Sequence, residues 1–324
     1  MAEYLNLSVK ECAKRLSELS DVLVLMHKNP DGDAVSSASA LALIFKGLGA
    51  RAKILCADKI PERLKFITDS LGVEIADDDY NYKYAVSVDV ASPMQLGSLR
   101  EKVENITLMI DHHAVGERFA DGYVDPWASS AAEVLADISD ELISIGKLEM
   151  TESLAFALFV GISSDTGCFA YSNATAKTHR RAAHLMEYGI DAADINHRLF
   201  NSKSEGQIKA EGYVASKMRT SADGKIGYAA ISKEERERMG LKIYDFETAI
   251  DVIRSQRGVI IAIIVKETDE GSMRASLRSV GHDVASIAKS FGGGGHIRAA
   301  GCTVNAESVD SAINMLLEKT LKII

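Results

Sequence analysis

Short apolar runs alternate with longer segments of helical spacing through the first half of the chain. Val22–Met26 (VLVLM), Ala52–Cys56, Tyr84–Val90 (YAVSVDV) and Ile106–Ile110 (ITLMI) read as strands. Ser36–Leu48 has helical composition and stops at Gly47 and Gly49, and Glu62–Leu71 is closed by Gly72. Ser130–Ile145 and Glu152–Ser163 repeat apolar residues at i, i+3 and i+4. Strands alternating with helices predict a mostly parallel sheet with helices on both faces.

From Ala174 to about Met218 the chain reads as almost wholly helical, and then the pattern changes. Ile226–Ile231 and Val259–Val265 read as strands, and Ser272–Ser279 alternates like a half-exposed one. Phe246–Ser255, Val284–Ser290 and Ser308–Leu321 read as helices. The expected fold class is therefore α/β, with an N-terminal domain over 1–195, a helical connector over 196–219 and a smaller C-terminal α/β domain over 220–324.

Composition narrows the class. Of 324 residues, 47% are hydrophobic and 26% charged, which excludes a disordered or collagen-like chain. No apolar run approaches the ~18 residues of a membrane span, and the start has no basic segment followed by an apolar one, so secretion is not expected. Cys12, Cys56, Cys168 and Cys302 form no CxxC pair, which predicts inert thiols in a reducing cytoplasm. The net charge of −9 lies wholly in residues 1–219, while residues 220–324 hold 14 basic and 14 acidic residues. An acidic chain without a basic run is poorly suited to long nucleic acid, which is held by phosphate neutralisation. A short phosphorylated ligand stays open, because divalent cations reverse the local sign of an acidic site.

In an open α/β sheet, ligands bind beyond the carboxyl ends of the strands. VLVLM runs into His27-Lys-Asn-Pro-Asp31-Gly-Asp33, YAVSVDV carries Asp89 near its end, and ITLMI runs into Asp111-His112-His113. The helix LAFALFVGISS runs into Asp165. One such Asp would be an ordinary turn or cap residue. Together they form a cluster whose carboxylates would repel one another and raise their pKa values. A pair of cations removes that penalty, and mixed Asp oxygens and His nitrogens suit Mn²⁺ or Fe²⁺, with Mg²⁺ or Co²⁺ also compatible. Ser163 and Ser164 precede Asp165 but lack the Gly-x-Ser-x-Gly surroundings of an activated serine.

HKNPDGDAVSS, SVDVAS, IDHHA and GISSDTG, in this order, resemble the four motifs of the DHH phosphoesterase superfamily. SLRS followed by FGGGGHIRAAG resembles the associated DHHA1 domain. The nearest resemblance is to the stand-alone nanoRNase/3′-phosphoadenosine 5′-phosphate (pAp) phosphatase group. It implies that two Mn²⁺ ions are held by His27, Asp31, Asp33, Asp89, His112 and Asp165, with Asp89 bridging. It also implies that Asp111 orients its neighbours and that His113 faces substrate phosphate. Arg278, Ser279, Gly293, Gly294, Gly295 and His296 would bind substrate, the glycines at the start of a short helix whose N-terminus favours phosphate.

The expected activity is hydrolysis of short oligonucleotides to nucleoside 5′-monophosphates, or of pAp to AMP and phosphate. Two cations activate water between two domains that face across a cleft. Hydrolysis of cyclic di-AMP or pApA is the alternative, and a non-catalytic, metal-stabilised nucleotide-binding module is the second. Inorganic pyrophosphatase is disfavoured by the GGGGH segment. The expected partners are a short oligonucleotide or phosphorylated nucleotide, with no long duplex and no membrane; a homodimer is left open. The expected location is the cytoplasm.

Overall fold

Val22, Leu23, Val24 and Leu25 are all buried, so the first strand has no solvent face and belongs inside a covered sheet. The structure, a computed structural model, describes residues 4–77, 80–103 and 105–324, and of His296 the backbone alone. It divides into two units, Met1–Ser202 and Lys203–Ile324.

The first unit contains α1 (Val9–Leu16), β1 (Val22–Leu25), α2 (Gly32–Gly47), β2 (Ala52–Leu55), α3 (Lys65–Leu71), β3 (Tyr84–Val88) and α4 (Leu99–Lys102). It continues with β4 (Leu108–Asp111), β5 (Gly122–Val124), α5 (Ala131–Ser144), α6 (Glu152–Asp165), α7 (Ala176–Met186) and α8 (Ala192–Asn196). The five strands run in the order β2-β1-β3-β4-β5, all parallel. One face packs on α1, α2, α5 and α6 through Val24, Leu41, Ile110, Leu135 and Leu158. The other packs Leu23, Leu25 and Ala85 against Leu96, Leu99 and Val103. This is the predicted parallel sheet with both faces covered.

Two helix starts set the site. Asp31 caps α2 by accepting from Ala34 N at 3.0 Å, so the helix begins at Gly32 rather than at Ser36. Such a cap contributes about 1 kcal/mol. Ser130 caps α5 by accepting from Glu133 N at 3.0 Å. On α6, Gly161 lies against Asp33 and Ala132: a Cβ there would sit 2.6 Å from Asp33 Oδ1 and 2.5 Å from Ala132 Cβ. Only glycine allows α6 to approach α2 and α5 this closely.

The second unit contains α9 (Glu205–Lys217), β6 (Arg219–Thr220), β7 (Ile226–Ile231), α10 (Lys233–Arg238), α11 (Ile250–Arg254), β8 (Ile261–Glu267) and β9 (Met273–Ser279). It ends with α12 (Val284–Lys289), β10 (Gly294–His296), β11 (Ala299–Val304) and α13 (Val309–Thr320). The sheet order is β10-β11-β9-β8-β7-β6, with β7 and β8 parallel and the other pairs antiparallel. One face buries Ile263, Leu277 and Val304 under Ile287, Ile313 and Leu316. On the other, Ala262 and Ile264 meet Ala210, Val214, Phe246 and Ile253, so α9 packs within this unit.

The glycine run differs from its expected form. It opens no helix. It follows α12 and becomes strand β10, with Gly294 opposite Gly301 and His296 opposite Ala299. Gly292, at φ 75°, ends α12, and its N–H and that of Gly293 bond to the carbonyls of Lys289 and Ala288. Gly293 then passes so close to β11 that a Cβ would lie 2.2 Å from the Gly301 carbonyl oxygen. These glycines let a helix end and an edge strand form within a few residues.

Candidate active site

The carboxyl ends of β1, β3 and β4 and the end of α6 deliver the acidic and imidazole groups. Asp89 follows β3 with φ 57°, in the left-handed region, where Asp and Asn are the best tolerated non-glycine residues. Such backbone costs on the order of 1–3 kcal/mol and gathers at functional sites. Here it aims the Asp89 carboxylate between two histidines. Asp89 Oδ2 lies 3.5 Å from His27 Nε2, and Asp89 Oδ1 lies 3.6 Å from His112 Nε2.

Around Asp89 the donors fall into two sets. His27, Asp31 and Asp89 place one ligand atom each within 4.8 Å of one another, and so do Asp33, His112 and Asp165. His112 Nε2 is 3.7 Å from Asp165 Oδ2 and 4.0 Å from Asp33 Oδ2. A third set, Asp89, His112 and His113, overlaps the second. The structure thus brings together His27, Asp31, Asp33, Asp89, His112, His113 and Asp165.

Supporting bonds fix the donors. Asp33, 1% exposed, accepts from Ala131 N at 2.7 Å, Ala132 N at 3.1 Å and Ser37 Oγ at 2.9 Å. Asp111 Oδ1 accepts from His112 N at 2.8 Å and pairs with His113 Nδ1 at 2.7 Å. That bond leaves His113 Nε2 as the ring nitrogen not taken by Asp111. Asn173 Nδ2 donates to the carbonyls of Ser129, at 2.9 Å, and Asp165, at 3.1 Å, tying the Asp165 turn to the approach of α5. Ser163 is buried and donates to Asn196 Oδ1, so it is not a poised nucleophile.

The electrostatics carry the mark of missing positive charge. Burial, then the charges of Asp89 and Asp31, hold the Asp33 carboxyl well above its usual range. Burial, then Asp33, Asp31 and Asp89, do the same to Asp165. Burial opposes charge on His27 and His113, but Asp31 and Asp89 bring His27 up to about 12, and Asp111 brings His113 up to about 9. Asp89 Oδ1 is buried with no hydrogen-bond partner among the described residues. A buried carboxylate oxygen left in this way is expensive, and a cation is the partner that fits it. The donor set, four carboxylates with two or three imidazoles and no thiolate, suits a divalent ion of the Mn²⁺, Fe²⁺ or Mg²⁺ kind.

In the second unit, β9 alternates. Arg274, Ser276 and Arg278 share one face, and Met273, Ala275, Leu277 and Ser279 the other. Ser279 is therefore buried on the core side, where its hydroxyl donates to the His282 carbonyl. Ser276 is the serine on the face of Arg278, which the SLRS motif does not distinguish. The side chain of His296 lies outside the described atoms. Lys266, on β8 opposite Arg274, joins the same face. It escaped the sequence reading because the alternation there is hidden in an apolar run. Trp127, 88% exposed, also went unremarked; it precedes Ala128, whose carbonyl lies 3.4 Å from His112 Nδ1.

The DHH family, N-terminal domain, matches residues 21–162, and the DHHA1 domain matches residues 223–322. The chain is 30% identical over 302 residues to the bifunctional oligoribonuclease and PAP phosphatase NrnA of Thermus thermophilus, covering 92% of this chain and 88% of that one. It is 27% identical to the cyclic-di-AMP phosphodiesterase GdpP of Bacillus subtilis, over 93% of this chain and 47% of that one. A crystal structure of an exopolyphosphatase-related protein from Bacteroides fragilis has the same fold, with TM-score 0.86, 23% identity and coverage of 97% and 95%. Among the described residues no helix is long and apolar enough to cross a membrane.

Proposed function

The chain belongs to the DHH family of phosphoesterases and carries the DHHA1 domain, and from that membership we propose that it hydrolyses short oligonucleotides to nucleoside 5′-monophosphates, and pAp to AMP and phosphate, with two Mn²⁺ ions. The observation that carries the reading is Asp89, whose two oxygens face two separate histidine–carboxylate sets. His27 and Asp31 would hold one cation and Asp33, His112 and Asp165 the other, with Asp89 common to both. Two such ions supply an activated water and shield the phosphoryl oxygens.

The remaining steps fall to the chain's own residues. Asp111 fixes the His113 ring and keeps it protonated at neutral pH, so that Nε2 donates to a phosphate oxygen. Gly161 and the backbone N–H groups of Ala131 and Ala132 hold Asp33 in one orientation. In the second unit, Arg278, Gly293, Gly294, Gly295 and His296 bind the substrate's terminal phosphate and nucleotide; Ser279 supports them from the core side. The resemblance to NrnA along nearly the whole of both chains favours oligonucleotides and pAp, and the resemblance to GdpP keeps pApA and cyclic di-AMP as the second reading.

One chromatographic assay tests this. pAp, dinucleotide to ~10-mer RNA, pApA, cyclic di-AMP and pyrophosphate are compared under Mn²⁺, a range bracketing what a pocket-sized site can cover. Release of monophosphates from dinucleotides and of phosphate from pAp is expected. Turnover of cyclic di-AMP alone, or of pyrophosphate alone, overturns the reading.

A further inference from the structure

One face of the second unit's sheet is only half covered. Over β7 and β8 it is packed by α9, α11 and the turn at Phe246. Past α11, which also reaches β9, the face carrying Arg274, Ser276 and Thr303 opens into a groove, and cross-strand register shows what it displays. Lys266 pairs with Arg274 and Ile264 with Ser276, while Thr303, Gly301 and Ala299 lie opposite Arg274, Ser276 and Arg278. The small residues of β11 leave a groove of about 440 Å³, walled by Tyr244 and Glu247 on one side and Phe291–Gly293 on the other, with Lys266, Arg274 and Ser276 in its floor.

Lys266 and Arg274 are like charges directly opposite each other, an arrangement that destabilises a sheet. Lys266 is only 8% exposed, and among the described residues neither it nor Arg274 makes an ion pair within 4.0 Å. Burial, opposed by Glu247 and reinforced by Arg274, Arg278 and Arg236, brings the Lys266 ammonium down to about 8. A buried cation facing a second one needs an anion.

We propose that Lys266 and Arg274, with Ser276, form a second phosphate site, which holds a phosphate of an oligonucleotide other than the one hydrolysed and the one assigned to Arg278. Arg274 and Arg278 are four residues apart on β9, about 13 Å of backbone at ~3.3 Å per residue. A phosphate held at Arg278 therefore leaves the Lys266–Arg274 pair without its own. Tyr244, exposed on the groove wall, offers a ring face for a base. The site selects for ligands with two non-scissile phosphates over pAp, which has one. This rests on the reading of the chain as an oligonucleotide phosphoesterase.

The test measures kcat/KM of the full-length protein under Mn²⁺ for 5′-phosphorylated triadenylate and for pAp, in the wild type, Lys266→Met and Arg274→Gln. The triadenylate-to-pAp ratio should fall about tenfold or more in each variant, as expected for a lost charge-assisted bond. The salt dependence for triadenylate should become shallower by about 0.7 in log–log slope per lost phosphate contact. A ratio within twofold of the wild type in Arg274→Gln, which changes an exposed side chain, overturns the proposal. If the wild type turns over neither ligand, the phosphoesterase reading fails. The same ratio, read as calorimetric affinities with the same limits, then decides the groove by itself.

Discussion

In the first unit the buried charged side chains at the site are carboxylates, Asp33, Asp89 and Asp111, gathered at the carboxyl ends of a wholly parallel sheet. In the second, built on a mixed sheet, the buried cations are Lys266 on β8 and Arg236 on α10. Arg236 is answered within the fold by Asp269 and the Glu267 carbonyl. The acidic cluster and Lys266 are not, and each asks for a ligand of opposite sign. In the acidic cluster Asp33 and Asp165 need cations to stay ionised, which suits chemistry on phosphate. The cationic face needs anions and no metal, which suits grip. Net charge follows the same division, since the whole excess of −9 lies in residues 1–219.

The hardest way to break this division is to remove Asp89, whose two oxygens face His27 and His112. Asp89→Ala should abolish turnover of a dinucleotide, and Asp165→Ala should nearly do so. Loss of several kcal/mol of transition-state stabilisation is a fall on the order of a thousandfold. Metal content measured by plasma spectrometry should fall with it. Near-normal rates in both variants, without excess metal, would end the assignment.

Next in size is metal removal. Chelation should lower the melting temperature, and Mn²⁺ at about 100 times its dissociation constant should restore roughly 2.7 kcal/mol. The metal-free protein has a definite pH signature. Asp33 and Asp165 are raised above their unfolded values, so the stability they retain at low pH is lost as pH rises through their folded pKa values. Melting curves of the chelated protein should fall across that range, and Asp33→Asn should flatten the fall.

Arg278→Ala tests the opposite half of the comparison. It should keep its metals and raise KM by about 10- to 100-fold, the worth of a charge-assisted bond to phosphate. Stripped metals with an unchanged KM would reverse the roles of the units.

A smaller effect is expected at the Asp111–His113 pair. The raised His113 pKa means that its charge, and the stability it adds below pH 6.5, is lost as pH rises through about 9. kcat/KM should fall along that limb, and Asp111→Asn should move the limb to lower pH with a loss of ~10–100-fold. An unmoved limb would remove His113 from the phosphate.

The gentlest test is length. A second unit with no net charge offers no basic path beyond the groove, so rates should decline from trinucleotide to 20-mer, with similar salt sensitivity for both. Faster cleavage of the 20-mer would point to an extended channel.

Most of the long elements could be read from the chain, because burial on all sides makes them continuous apolar runs, as at Ile226–Ile231 and Leu154–Ile162. What escaped is short or small. β5, β6 and β10 span too few residues to show alternation, and β11 (AAGCTV) opens on Ala-Ala-Gly, residues with weak strand preference. α1 was missed although Ser8 and Glu11 form a capping box. At the site, the residues that cluster were legible from motif order, because each follows an apolar run. The partners that orient them were not, since Asn173 and the Ala131 and Ala132 N–H groups act through tertiary contact. Ser279 was named because the resemblance pointed to it, whereas the alternation of β9 puts Ser276 on the face of Arg278.

The left-handed backbone at Asp89 narrows what evolution or an engineer can put there. Alanine removes the carboxylate and also leaves a residue that resists φ 57°, so its effects on chemistry and on folding are mixed. Asparagine tolerates the same backbone and matches the side chain in size while withdrawing its charge. Asp89→Asn is thus the substitution that would leave a folded protein with its phosphate grip intact and its hydrolysis stopped. Immobilised on a resin, that variant would serve as bait: the nucleotides eluting from it after exposure to a cell extract would be the ones this protein meets in life.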